Sequence, residues 1–392
     1  MRTQAKPRIA RALAILFIVQ FLVMVGFGIV IPILPFLVQK LGGDAISLGI
    51  FMSAYSVMQF FFAPFWGRLS DRIGRRPVLL IGLSGYGGTF ILFGLVHNLY
   101  ALIAIRAISG MISSATLPTA MAYLADITEE GERSKSMGMV GAAMGLGMVF
   151  GPALGGWFGH FSFSLPFFVA GGLALAVIPF AWTFLPETLR KPDNNKKKRA
   201  KLSWRVIENP LFILFAFNFV LSFTMAMFES TFAWLAAAKV GFGPAQLGAT
   251  FAIIGIFGII VQGMLIGKLV KRFGDANLVK FGSMLCALGL VFIFLAPNTM
   301  LLITSTIVFM IGNSLMGPTS SSLVTKQSTE GQGAALGLFQ SFSSLGRILG
   351  PVVGGGLYEL SMGLPYISGA VLLLLMVLIG GRRISKYSDG VQ

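Results

Sequence analysis

The chain has 392 residues, of which 55% are hydrophobic and only 11% charged, yet its formal net charge is +16. So little polar surface cannot cover a soluble globule of this length, which makes the chain an integral membrane protein and excludes a soluble enzyme or nucleic-acid-binding domain. Its apolar runs are long and continuous, which also excludes a transmembrane β-barrel of short alternating strands.

A membrane-crossing helix needs roughly 20 mostly apolar residues. Breaks at polar and Gly/Pro positions predict twelve, at 12–39, 45–68, 77–97, 99–125, 135–159, 163–185, 209–238, 244–270, 276–296, 300–325, 333–358 and 363–381. The expected fold is all-α, with residues 1–185 forming one six-helix bundle, 186–208 a linker, and 209–392 a second bundle.

The first span follows a basic stretch, as a signal peptide would. It runs on through Pro32 and Pro35 without a small-x-small cleavage site and is expected to be retained. It carries Gln20. Between spans two and three, GRLSDRIGRRP sets Asp71 among Gly67, Arg72, Gly74 and Arg75. Arginines suit a cytoplasmic turn on topology alone, whereas the acid calls for a local cation or a helix N-terminus, where the macrodipole favours an anion. Span four carries Arg106 well inside its external end.

In span five, Gly147, Gly151 and Gly155 recur every four residues and so share one face, which permits close backbone contact with another helix. Pro152 removes a helix hydrogen bond and bends the span. Tight packing alone accounts for such a face; a kinked, close-packed one would also control which side opens. The stretch PETLRKPDNNKKKRAKLSW, 186–204, reads as a solvated connector.

Span seven is the most informative. Asn218, Ser222, Met225 and Glu229 fall at i, i+4, i+7 and i+11, one polar face bordered by Phe228 and Phe232. A charge in a span costs several kcal/mol unless paired or hydrated, so Glu229 and Arg106 are functional candidates. A carboxylate among aromatics is able to exchange a proton near neutrality. Glu229 and Arg106 lie at comparable depth and are expected to approach across a cavity, as a coupling pair or as a structural ion pair that never titrates. Asn313 marks span ten. Arg347 in span eleven is expected to snorkel toward the cytoplasm. Spans three, six, nine and twelve are apolar nearly all round and expected to face lipid.

The halves repeat each other. Gly138, Gly147, Gly151, Pro152, Gly155 and Gly156 recur as Gly337, Gly346, Gly350, Pro351, Gly354 and Gly355, and Gly67, Leu69, Arg72 and Gly74 recur as Gly267, Leu269, Arg272 and Gly274. Asp71 becomes Lys271, which reads as divergence. Two related membrane halves are the architecture of a transporter with a central site.

Cations confirm the expected orientation. The external loops hold only Lys40 and Lys239, and Arg106 and Arg347 lie within spans, which leaves the remaining Lys and Arg on one side and both termini cytoplasmic. That basic surface favours anionic lipid rather than nucleic acid. Cys286 is the single cysteine, which excludes an internal disulfide. His97 and His160 fall at loops and are expected to be solvated. Neither a P-loop, a dinucleotide fingerprint nor a metal-binding spacing is present, so no cofactor or metal is expected and ATP is not the energy source.

The loop sequence GRLSDRIGRRP and the pattern G-x8-G-x3-G-P-x2-G-G from Gly138 to Gly156 resemble the loop signature of the major facilitator superfamily and the fifth-span motif of its twelve-span drug:proton antiporters. LIAIRAISG around Arg106 and GFGIVIPILP in span one are similar to further motifs of that family. The resemblance implies alternating access and export of lipophilic, often cationic drugs against proton entry, across a bacterial cytoplasmic membrane, by a monomer. It implies that Asp71 and Arg75, with Asp126 as partner, lock the cytoplasmic gate and that Arg106 takes part in proton coupling. Glu229 would then be the coupling carboxylate, and Gln20, Asn218, Ser222, Met225, Phe228, Phe232 and Asn313 would line the drug cavity. A dedicated sugar or amino-acid transporter, or a non-transporting membrane receptor, is the alternative.

Overall fold

The computed structural model describes residues 2–128, 130–188, 211–328 and 332–389, so most of the expected linker, 189–208, lies outside the described residues. The described residues contain helices and no strand: α1 (Arg2–Lys40), α2 (Ala45–Ile73), α3 (Arg75–Leu95), α4 (Leu99–Ser113), α5 (Thr116–Ile127), α6 (Glu130–Phe161), α7 (Leu165–Phe184), α8 (Phe212–Val240), α9 (Pro244–Ile260), α10 (Ile266–Phe273), α11 (Asp275–Leu295), α12 (Thr299–Gln327), α13 (Gln332–Leu360) and α14 (Leu364–Asp389). Eleven segments among them are long and apolar enough to cross a membrane. The predicted eleventh span, α13, is helical but not one of these; its glycines and serines, with Gln340 and Arg347, dilute its apolar content.

Two predicted spans are interrupted. Span four breaks between α4 and α5 at Ser114 and Ala115, and the cause is local. Ser113 Oγ donates to Ser109 O, Ser114 Oγ to Met111 O at 2.9 Å and Thr116 Oγ1 to Ser113 O at 2.8 Å, so three hydroxyl residues within four positions draw off backbone acceptors. Pro118 follows in the first turn of α5, where its missing N–H is tolerated and its ring forbids continuous helix from α4. Span eight passes through one π-helical turn, Val261–Leu265, between α9 and α10.

Contacts divide the chain into two compact units, one of Met1–Gly43, Ala54–Asn194 and Gly243–Ala252, the other of Asp44–Ser53, Asn195–Phe242 and Ile253–Gln392. Packing inside the units repeats pair for pair. In the first, α1 lies against α6, and α3 against α7, α4 and α5; in the second, α8 lies against α13, and α11 against α14 and α12. The first core gathers Phe90, Phe93 and Phe167, with ring centroids 5.6–6.2 Å apart, and the second Phe228, Phe232 and Phe309, at 4.8 and 4.9 Å. As expected of a lipid face, α14 presents Val371, Leu374, Leu378 and Ile379 outward. It also buries Tyr366, Ala370 and Leu373, and α3 is two-faced in the same way, with Ile81, Leu92 and Leu95 outward and Tyr86, Phe90 and Phe93 in the core.

The helix start at α2 is built by Asp44. Its carboxylate accepts from Ser47 N at 2.7 Å and Ser47 Oγ at 2.6 Å, and Glu359 Oε1 accepts from Ala45 N at 3.0 Å. The Ser47 bonds hold the Asp44 carboxyl below the usual carboxylate range. A lowered folded pKa contributes stability that is present above the unfolded value, about 4, and is lost as pH falls through the folded one. Asp44→Ala should therefore cost about 1 kcal/mol at pH 7 and less at pH 3. Thermal midpoints of detergent-purified protein at the two pH values test this; an equal loss at both would refute the capping role.

Candidate functional site

The glycine face of α6 meets α1 backbone to backbone. A Cβ built on Gly147 would lie 2.8 Å from Phe21 O, on Gly151 2.4 Å from Val25 O, and on Gly155 2.4 Å from Ile29 O. Gly28, from the first-span motif, is the reciprocal partner, its Cβ position lying 2.7 Å from Pro152 Cδ and 3.1 Å from Gly151 Cα. In the second unit Gly346, Gly350 and Gly354 meet α8 at Phe219 O, Phe223 O and Met227 Cγ, at 2.7, 2.5 and 2.5 Å. The fourth glycine points elsewhere. Gly156 touches Pro244 O and Gly248 Cα on α9, and Gly355 touches Ala45 O on α2. Gly138 and Gly67 have open space where a Cβ would stand, so neither is required for contact.

Arg75, the first residue of α3, is the centre of the loop cluster. Its Nη2 lies 2.7 Å from Asp71 Oδ1 and its Nε 3.2 Å from Asp126 Oδ2, while Nη1 donates to Ser70 Oγ at 2.7 Å. Arg72 is exposed on the other side of the turn. Gly74 has φ +112°, a conformation that side-chain-bearing residues rarely adopt. An added Cβ there would also strike Glu187 Oε2 at 2.3 Å. Glu187 was not singled out by sequence, yet it accepts from Arg75 N at 2.9 Å and Arg76 N at 3.2 Å and so caps α3 from more than a hundred residues away. It supplies the negative charge that a helix beginning with two arginines lacks. Glu187→Ala should lower stability by about 1 kcal/mol. A thermal midpoint equal to that of the parent would remove Glu187 from the cluster.

Arg106 is buried in the first unit, with 4% of its surface exposed. Its guanidinium carbon lies 4.4 Å from the Tyr55 ring centroid and 5.9 Å from that of Phe27, a cation–π setting that sequence had not indicated. Tyr86 lies within electrostatic reach and donates its hydroxyl to Val23 O at 3.3 Å. Gln20 is fully buried, with Nε2 3.5 Å from Thr116 O.

Along α8, Asn218 Nδ2 donates to Phe339 O at 2.7 Å and Ser222 Oγ shares a 2.7 Å hydrogen bond with Ser343 Oγ, so the upper part of the polar face is occupied by α13. Glu229, Met225, Ser222 and Asn313 keep partial exposure. Phe228 and Phe232 do not; they are 1% and 0% exposed and belong to the core beside Phe309. The charged group acting on Glu229 within its unit is Arg347 of α13, and Arg106 lies in the other unit. Arg347 follows Gly346, whose close approach to α8 falls at Phe219, Ser222 and Phe223. His97 and His160 are both exposed.

Comparison with known proteins bears on the family and the fold. The family profile described as Major Facilitator Superfamily matches residues 16–351. Multidrug resistance protein 1 of Bacillus subtilis (strain 168) is 30% identical over 367 residues, spanning 93% of this chain and 94% of the relative. Quinolone resistance protein NorA of Staphylococcus aureus (strain COL) is 27% identical over 365 residues, 92% of this chain and 93% of the relative. Among solved structures, a POT family transporter in complex with 5-aminolevulinic acid superposes with a TM-score of 0.80 at 15% identity, covering 95% of this chain and 96% of that one. The human organic anion transporter MFSD10 gives 0.70 at 23% identity over 96% and 99%.

Proposed function

The chain belongs to the major facilitator superfamily, and from that premise we propose that it exports lipophilic, cationic or zwitterionic drugs across a bacterial cytoplasmic membrane in exchange for protons. It is a multi-pass membrane protein and not an enzyme. The observation that carries the reading is Glu229, a partly exposed carboxylate within the α8 span whose charged neighbour is Arg347. A carboxylate placed so can bind either a proton or a cationic drug, and competition for one site is the simplest way to link their opposite movements.

In this reading the exporter works as a monomer by alternating access, both termini lie in the cytoplasm, and the surrounding lipid meets the basic loops. The Arg75 cluster then closes the cytoplasmic side, and Arg106 in its aromatic setting belongs to the coupling machinery. The names of the bacterial relatives, a multidrug and a quinolone resistance protein, support the drug class. Proteoliposomes with an imposed pH gradient test the proposal, using a quaternary ammonium dye and a fluoroquinolone. Drug is expected to accumulate on the side that protons leave. Flux indifferent to the gradient would overturn the coupling, and no flux of either compound would overturn the substrate class.

A further inference from the structure

The second unit does not lose the Arg75 cluster; it carries the cluster's link between a helix start and a neighbouring helix end with the charges reversed. At a spacing of 200 residues, Asp71, Arg75 and Asp126 correspond to Lys271, Asp275 and Lys326. Gly74 and Gly274 both have positive φ, 112° and 75°, and both directly precede a helix whose first residue is the central charge. Lys326 Nζ lies 2.6 Å from Asp275 Oδ2, and Ser322 Oγ donates to the same oxygen at 3.1 Å. As in the first unit the central residue is the more buried one. The Asp275 side chain is 4% exposed against 49% for Lys326, and that of Arg75 11% against 33% for Asp126.

The reversal has a physical logic. An aspartate at the start of α11 satisfies the helix dipole by itself, whereas an arginine at the start of α3 opposes it and is accompanied by Glu187. One solution therefore needs a distant carboxylate and the other does not. Lys271, four residues before Asp275, follows the same reversal of sign in the sequence.

We propose that Asp275 and Lys326 are positioning residues that pin the start of α11 to the end of α12, so that the second unit moves as one body during transport. Only the transport arm of the test rests on the export reading. Asp275 Oδ1 is buried without a hydrogen-bond partner, so removing Lys326 strands a carboxylate in a site that cannot solvate it, and the helix ends part instead.

The test uses Cys286→Ser, which removes the single cysteine, with Ala276→Cys placed in the buried first turn of α11 beside Asp275. Lys326→Met should speed alkylation of that cysteine by N-ethylmaleimide about tenfold, a conservative figure for a broken buried pair. It should also lower the maximal export rate with KM unchanged. Asp275→Asn, which keeps the Ser322 contact and strands no charge, should do less of both and serves if Lys326→Met does not fold. Parental alkylation in both Lys326→Met and Asp275→Asn would overturn the proposal. Alkylation needs no substrate, so this failure is distinct from a parent protein that does not export.

Discussion

Gly151→Val is expected to abolish export and to reduce the folded protein recovered from membranes several-fold, and Gly350→Val to do the same. At both positions the first side-chain atom would lie 2.4–2.5 Å from a backbone carbonyl oxygen of the neighbouring helix, Val25 O or Phe223 O. A flexible side chain could turn away from such an intrusion, but a carbonyl held in a helix ladder cannot. The helices must separate, and the neighbouring contacts at Gly147 and Gly155, or at Gly346 and Gly354, are lost with them. Overpacking of an ordinary core costs about 1–3 kcal/mol, and a backbone clash lies at or above the top of that range. Gly138→Ala and Gly67→Ala are the controls, because both positions open on empty space. Gly151→Ala should already impair transport where Gly138→Ala does not. Equal tolerance of the two alanines would refute the packing argument.

Glu229→Gln is expected to eliminate drug accumulation against a gradient while leaving the thermal midpoint within a few degrees of the parent. Glutamine keeps the shape and hydrogen-bonding capacity of the side chain but can neither release nor take up a proton. A proton crossing 100 mV supplies about 2.3 kcal/mol, enough for a drug concentration ratio of roughly fifty. The variant should lose that ratio and retain downhill counterflow of labelled against unlabelled drug. Proton-driven accumulation that survives in Glu229→Gln vesicles would remove Glu229 from coupling.

The duplicated glycine pattern was legible in the sequence because helix periodicity alone puts residues four apart on one face, and the structure gives that face its partners. The polar stripe of α8 was legible for the same reason. Periodicity says nothing about which helix lies opposite, so it reveals neither the charge of Arg347 acting on Glu229 nor that Phe228 and Phe232 fill the core instead of a cavity. Glu187 could not be found by spacing, since its contact with Arg75 closes a loop of 112 residues. The charge reversal at Lys271 was readable but needed all three positions compared at once; Asp71 alone looked like divergence. The break in span four was also written in the chain, as a hydroxyl cluster followed by Pro118, but hydropathy averages over such features.

That break alters the mechanics of the span that contains it. Arg106 sits on α4 and Asp126 on α5, two rods that meet at a joint around Ser114 and Ala115. A rigid shaft would transmit any tilt at the arginine directly to the ion pair at its far end. The interruption breaks the shared hydrogen-bond ladder at Ser114 and Ala115, so the buried arginine and the ion pair at the far end stand on two separately hydrogen-bonded rods.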